Sequence, residues 1–133
     1  MAMNVQPVAT LDNEINEIRM ATAAIINEQT LPHEAALWGV RTSGSSDKDA
    51  IAEAKERREG VQAAVKRANL WAPHLPKEFG GMGLGFMQHA YMNEVLSYSP
   101  GAASLFGVVA PNSGNQKILV KYGSPEQQEK WLA

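Results

Sequence analysis

Three histidines, His33, His74 and His89, are the side chains here best suited to ligate a metal or move a proton near neutral pH. They are isolated from one another, with no second histidine three or four residues away, so no metal site is expected. The glycine run Gly80-Gly81-Met82-Gly83-Leu84-Gly85 invites comparison with a phosphate loop. A dinucleotide fingerprint needs glycines at i, i+2 and i+5 after a strand, but the positions five on from Gly81 and Gly83 are Phe86 and Gln88. No Lys-Ser/Thr pair follows, so a Walker loop fails as well. These glycines are expected to serve a tight connection, through positive φ and close backbone packing. No serine sits in a nucleophile elbow. Glu94 is the one acid on an apolar stretch and the best local candidate for a buried carboxylate, with a partly exposed structural glutamate as the plainer reading. No self-contained catalytic apparatus emerges, and no catalytic residue is assigned.

Length and composition bound the rest. A chain of 133 residues fits one domain. With 44% hydrophobic and 20% charged residues it is ordinary globular material. Twelve Lys and Arg against fourteen Asp and Glu give a net charge of −2, which argues against nucleic-acid binding. The absence of cysteine excludes disulfides, thiolate metal sites and a thiol nucleophile, and fits a reducing compartment. The longest nearly apolar run, Ala102 to Pro111, is about half the ~20 residues that span a bilayer. No signal peptide opens the chain, so an intracellular protein is expected, cytoplasmic if bacterial.

The elements that must position any site read as helices throughout, with no strand alternation. Leu11 to Gln29 has apolar steps of three and four, with Thr10 as its expected cap and a break at Pro32. A short helix follows, ending near Trp38-Gly39, and then a loop over Arg41 to Asp49. Ser46 and Asp49 have capping-box spacing before a helix that runs to about Asn69. Its seam is Ile51, Ala54, Arg58, Val61, Val65 and Ala68, and its Lys55–Glu59 charge run reads as a solvated face. After an irregular stretch from Ala72 to Gly85, a helix from Phe86 to Tyr98 presents Met87, Tyr91, Val95 and Tyr98 on one face, with His89 on its polar side. Ala102 to Tyr122 reads as a helix interrupted at Pro111 and Gly114, with Gly123 as its C-cap. Ser124-Pro125-Glu126-Gln127 then opens another helix, with a cap, a first-position proline and a capping-box partner. That helix reaches Trp131-Leu132 without a stop signal, as though the chain were cut there. The expectation is an all-α bundle of about five to six helices over 11–133, with 1–10 as an N-terminal tail.

Two motifs carry a family resemblance. Leu75-Pro76-Lys77-Glu78-Phe79-Gly80-Gly81-Met82-Gly83-Leu84, followed by a helix with Asn93-Glu94-Val95, resembles the N-terminal region of acyl-CoA dehydrogenases. The stretch from Asn115 to Leu132, with Ile118, Tyr122-Gly123, Glu126-Gln127 and Trp131-Leu132, is similar to that family's tyrosine-glycine and tryptophan-leucine signature. The resemblance covers the chain from about Leu11 onward and is strongest after Leu70.

It implies the helical N-terminal domain of an FAD-dependent oxidoreductase that removes two hydrogens across the α–β bond of an acyl-CoA thioester. Electrons would pass to an electron-transferring flavoprotein, and the enzyme would be a homo-oligomer. The family's flavin-binding motif and catalytic glutamate are not in this sequence, so the chain alone is expected neither to bind FAD nor to be active. The resemblance also implies that the helix over Leu105 to Ile118 walls the acyl pocket, with Phe106, Ala110 and Gly114 on one face at steps of four. Small residues there would leave a deep or wide pocket, or would merely pack a helix crossing. Exposed Trp131, Leu132 and part of Leu105 to Val109 would seek a partner. The competing reading is a stand-alone helical interaction module without catalysis.

Overall fold

The computed structural model describes residues 2–132, so Met1 and Ala133, the outer ends of the expected tail and domain, lie outside the described residues. The fold is all-α, with six helices of two turns or more, one single-turn helix and no strand among the described residues. In chain order these are α1 (Asn13–Ile25), α2 (Glu34–Ser43), α3 (Lys48–Arg67), α4 (Phe86–Leu96), α5 (Ala102–Leu105), α6 (Asn112–Tyr122) and α7 (Pro125–Leu132).

Local chemistry moves several boundaries. Thr10 does not cap α1: the helix starts after Asp12, and residues 8–11 form a turn that Asn16 holds through Val8 and Leu11. Before Pro32, whose ring crowds the carbonyl four residues back, α1 widens into a π-turn at Ile26–Thr30, and Leu31 N–H reaches Ile26 O. Helix α2 runs past Gly39 to Ser43, and left-handed Gly44 (φ +65°) ends it. Asp47, not Ser46, caps α3, its carboxylate accepting from Asp49 N at 3.0 Å and Ala50 N at 3.2 Å. An ionised carboxylate is the stronger acceptor for those free amides. The start of α7 matches its motif: Ser124 N donates to Gln127 Oε1 at 2.9 Å, and Gln127 N donates to Ser124 Oγ at 3.3 Å.

The core forms where α1 lies on α4, α2 lies on α3, and α5 wedges against both α3 and α4. Ile26, Leu37, Val65, Met92, Leu96, Leu105 and Phe106 are buried at its centre. Along α3 the seam buries Ala54, Val61 and Val65, while Ile51 and Ala68 at its ends stay exposed. Arg58 lies over the Trp38 ring and donates Nη1–H to Leu37 O at 2.7 Å, tying α3 to α2. Helix α4 buries Met92, Val95 and Leu96; of the expected face Val95 is buried and Tyr91 half-buried, while Met87 and Tyr98 are exposed. That helix is apolar on most sides, so contact with α1 and α5 selects the stripe, not periodicity. Between Phe106 and Pro111 the chain is not helical, and Gly114 lies inside α6 instead of breaking it. Gly123 is extended (φ −69°, ψ 146°), not a left-handed cap.

Candidate functional site

The glycine connection is built entirely for packing. Phe79 N donates to Pro76 O, Gly80 N to Lys77 O, Gly81 N to Pro76 O and Met82 N to Ala72 O. Gly83 N donates to Leu75 O, Leu84 N to Pro73 O, and Gly85 N to the Gln88 side chain. Every amide from Phe79 to Gly85 is thus used internally, and none is left to cradle a phosphate. Gly80 and Gly83 take positive φ, and a Cβ on Gly81 would fall 2.2 Å from Leu75 O.

This connection supports α6, which has no buried residue. Its inner side offers half-buried Gln116, Leu119 and Val120, and the two aliphatic residues pack on a small cluster of Ala72, Leu75 and Leu132. The outer side carries Gly114, Ile118 and Tyr122 at steps of four, one exposed stripe along the helix. Ile118 is 58% and Tyr122 72% exposed. A Cβ at Gly114 would meet nothing within 4 Å, so this glycine is not at a helix crossing among the described residues.

The three expected pocket residues do not share a helical face. Phe106 is fully buried in the core, whereas Ala110 and Gly114 are exposed. Helix α5 stops at Leu105 and α6 restarts at Asn112, so the four-residue rhythm is lost in between. Gly107, at φ +77°, turns the chain there against the Trp71 ring. Of the apolar residues expected to be exposed near the chain end and on 105–109, Trp131 (63%) and Val109 are, while Leu132 and Leu105 are buried. Leu132 closes the small cluster under α6, and Leu105 is part of the main core.

The polar groups that converge are ones sequence spacing does not pair. His74 is buried, and Gln116 Oε1 on α6 accepts from its Nε2–H at 2.8 Å. His89, from α4, is stacked beside it with ring centroids 6.1 Å apart. Burial, then His74, then Lys117 hold the His89 pKa below its ordinary value of 6.5, against a raising hydrogen bond from Asn93. Proline-flanking at His74 was the only local signal, and the expected placement of His89 on the polar side of α4 gives way to a half-buried one. His33 is exposed in the turn before α2. Glu94 is 64% exposed and lies 3.8 Å from Arg19, the structural role rather than a buried acid. Beside the cluster, Lys66, Trp71, Phe79, Gln116 and Trp131 line an open cleft of about 550 Å³. Among the described residues no three His, Cys, Asp or Glu side chains are grouped to hold a metal ion. Nor is any helix there long and apolar enough to cross a membrane.

The family described as acyl-CoA dehydrogenase, N-terminal domain, matches residues 12–133. Acyl-CoA dehydrogenase family member 10 of Mus musculus is 37% identical over 79 residues, 56% of this chain and 7% of that protein. Mitochondrial isovaleryl-CoA dehydrogenase of Oryza sativa subsp. japonica is 42% identical over 65 residues, 48% of this chain and 15% of that protein. Mitochondrial 2-methylacyl-CoA dehydrogenase of Solanum tuberosum is 32% identical over 92 residues, 62% of this chain and 22% of that protein. The chain therefore spans from 7% to 22% of the length of these relatives. No solved structure matches significantly. With a family match running from residue 12 to 133 over an all-α fold, the chain belongs to the acyl-CoA dehydrogenase N-terminal domain family.

Proposed function

We propose that this chain serves as the N-terminal domain of an FAD-dependent acyl-CoA dehydrogenase and walls the acyl pocket with the outer face of α6. The observation that carries the reading is the exposed stripe of Gly114, Ile118 and Tyr122, with open space at Gly114 among the described residues. Ala110, exposed just before α6, extends the wall, and Phe106 is left in the main core. An acyl tail needs an apolar surface, which Ile118 and the Tyr122 ring supply between the exposed Lys117 and Lys121.

The glycine connection does not fit the flavin's pyrophosphate, because every backbone amide from Phe79 to Gly85 is already used. On this reading FAD, the catalytic glutamate and the docking of an electron-transferring flavoprotein belong to residues outside this chain, in an intracellular homo-oligomer. The relatives named for isovaleryl-CoA and 2-methylacyl-CoA make branched short acyl groups the first substrates to try.

The test is to express the complete open reading frame containing this sequence, record its flavin absorbance, and follow dye reduction with an acyl-CoA series. A yellow protein that reduces dye with an acyl-CoA is expected, while the 133-residue chain alone stays colourless and inactive. A complete product that is colourless and inert would overturn the reading in favour of a helical interaction module.

A further inference from the structure

We infer that His89, stacked on the His74 ring that holds Gln116, is a proton-operated latch that fixes α6 at neutral pH and releases it in mild acid. This stands on the chain alone and needs neither flavin nor acyl-CoA. Helix α6 buries none of its residues, so few contacts hold it against the body of the domain. They include the packing of Leu119 and Val120 on the cluster around Leu75 and the bonds from Gln128 on α7 to Leu119 O and Val120 O. The contact from the connection before α4 is polar, the 2.8 Å hydrogen bond from His74 to Gln116.

The polar contact is built to resist a second proton. Among the described residues His74 Nδ1 and His89 Nε2 are both buried with no hydrogen-bond partner, so a proton added at His89 Nε2 makes a buried charged N–H with no acceptor in place. The rings are stacked with centroids 6.1 Å apart, which sets the His74 ring against the charge that forms on His89. The basic groups that face His89 are His74, from the connection before α4, and Lys117, from α6. Asn93, on His89's own helix, contributes a hydrogen bond but no charge. Adjacent residues Gln116 and Lys117 therefore receive the strain when His89 is protonated, and both lie on α6. Opening α6 lets the His89 ring reach water and take its proton at ordinary affinity.

Amide hydrogen exchange of the 133-residue chain, corrected for intrinsic rates, tests this at about pH 7.5 and about pH 5.5. A histidine silent in the closed state and ordinary in the open one raises the opening constant by up to about tenfold across that interval. Protection of Gln116 to Val120 should fall by about that factor and stay below that of α3 at both pH values, the sign of an opening smaller than global unfolding. His89→Asn should flatten the dependence. Lys117→Met, at an exposed position, should weaken it while leaving the fold intact, so the test survives if the first variant folds poorly. Protection of α6 that ignores pH, or that equals α3 protection at both values, overturns the latch, as does an unchanged dependence in Lys117→Met.

Discussion

Asn27 grips the backbone of Met3 from both sides, accepting from Met3 N at 2.6 Å and donating Nδ2–H to Met3 O at 2.9 Å. Asn16 does the same for Val8, at 2.8 and 3.0 Å, and between them Arg19 Nη1–H reaches Gln6 O at 3.1 Å. The side chains of α1 thus act as a template on which residues 3–8 lie extended. Met3 is buried by this and joins the main core. Replacing Asn27 with Leu removes both bonds to Met3 and should cost about 1–2 kcal/mol, since the freed backbone groups are only partly buried. Urea denaturation gives the loss, and faster proteolysis before residue 10 shows where it acts. An unchanged midpoint would mean that Met3 packing alone holds the segment.

Gly81 and Gly114 predict opposite outcomes for the same substitution. Gly81→Ala would drive a Cβ to 2.2 Å from Leu75 O and 2.5 Å from Leu75 Cβ, so the connection must open, at a cost of about 3 kcal/mol or more. Gly114→Ala meets nothing and removes a helix-interior glycine, so a gain of up to about 1 kcal/mol is expected. Thermal melts of the two variants check both signs.

Arg58 joins two helices through one side chain, with a hydrogen bond to Leu37 O and its guanidinium 5.7 Å from the Trp38 ring centroid. Arg58→Met keeps much of the stem but loses the donor and the cation, so a loss of about 1–2 kcal/mol is expected. Arg57→Met, next to it, removes only the exposed pair with Glu53 and should cost less than about 0.5 kcal/mol. Equal effects from the two in chemical denaturation would show that Arg58 has no special role.

Stability should depend on pH through His89. Its folded pKa lies below the ordinary 6.5, so the unfolded chain binds more protons in the window beneath that value. Its contribution is therefore complete above about 6.5 and is lost as pH falls towards the folded pKa. Urea midpoints should decline across that window, and His89→Gln should remove the decline. Glu126 titrates with the same sign at lower pH: the Ser124 hydroxyl holds its carboxyl below the ordinary 4.5, favouring the α7 start until the carboxylate protonates.

The acyl-wall reading makes its own prediction for the complete enzyme. Gly114→Leu would project a branched side chain from the exposed stripe into the space that a long acyl tail would fill. Displacing two or three methylenes at ~0.8 kcal/mol each amounts to ~2 kcal/mol, a roughly 30-fold drop in kcat/KM for long substrates. Short acyl-CoAs should be nearly unaffected. A uniform fall across a chain-length series would remove Gly114 from the pocket.

Much of the fold was legible because it rests on local chemistry. The helical rhythm of α1 and α3, the serine-proline start of α7 and the packing role of the glycine run are properties of neighbours in sequence. The motifs around Glu78-Phe79-Gly80-Gly81 and Trp131-Leu132 likewise carried the family. What sequence spacing could not yield is set by long-range contact. Which stripe of apolar α4 is buried depends on α1 and α5 lying against it. Phe106, Ala110 and Gly114 keep a four-residue rhythm on paper, yet the chain leaves the helix between them, and they part into core and surface. His74 and His89 look unrelated until the connection folds back on α4, and Gln116 joins them only when α6 docks. Helix periodicity reports which residues share a face, but only packing decides which face is covered, because burial belongs to pairs of elements and not to one.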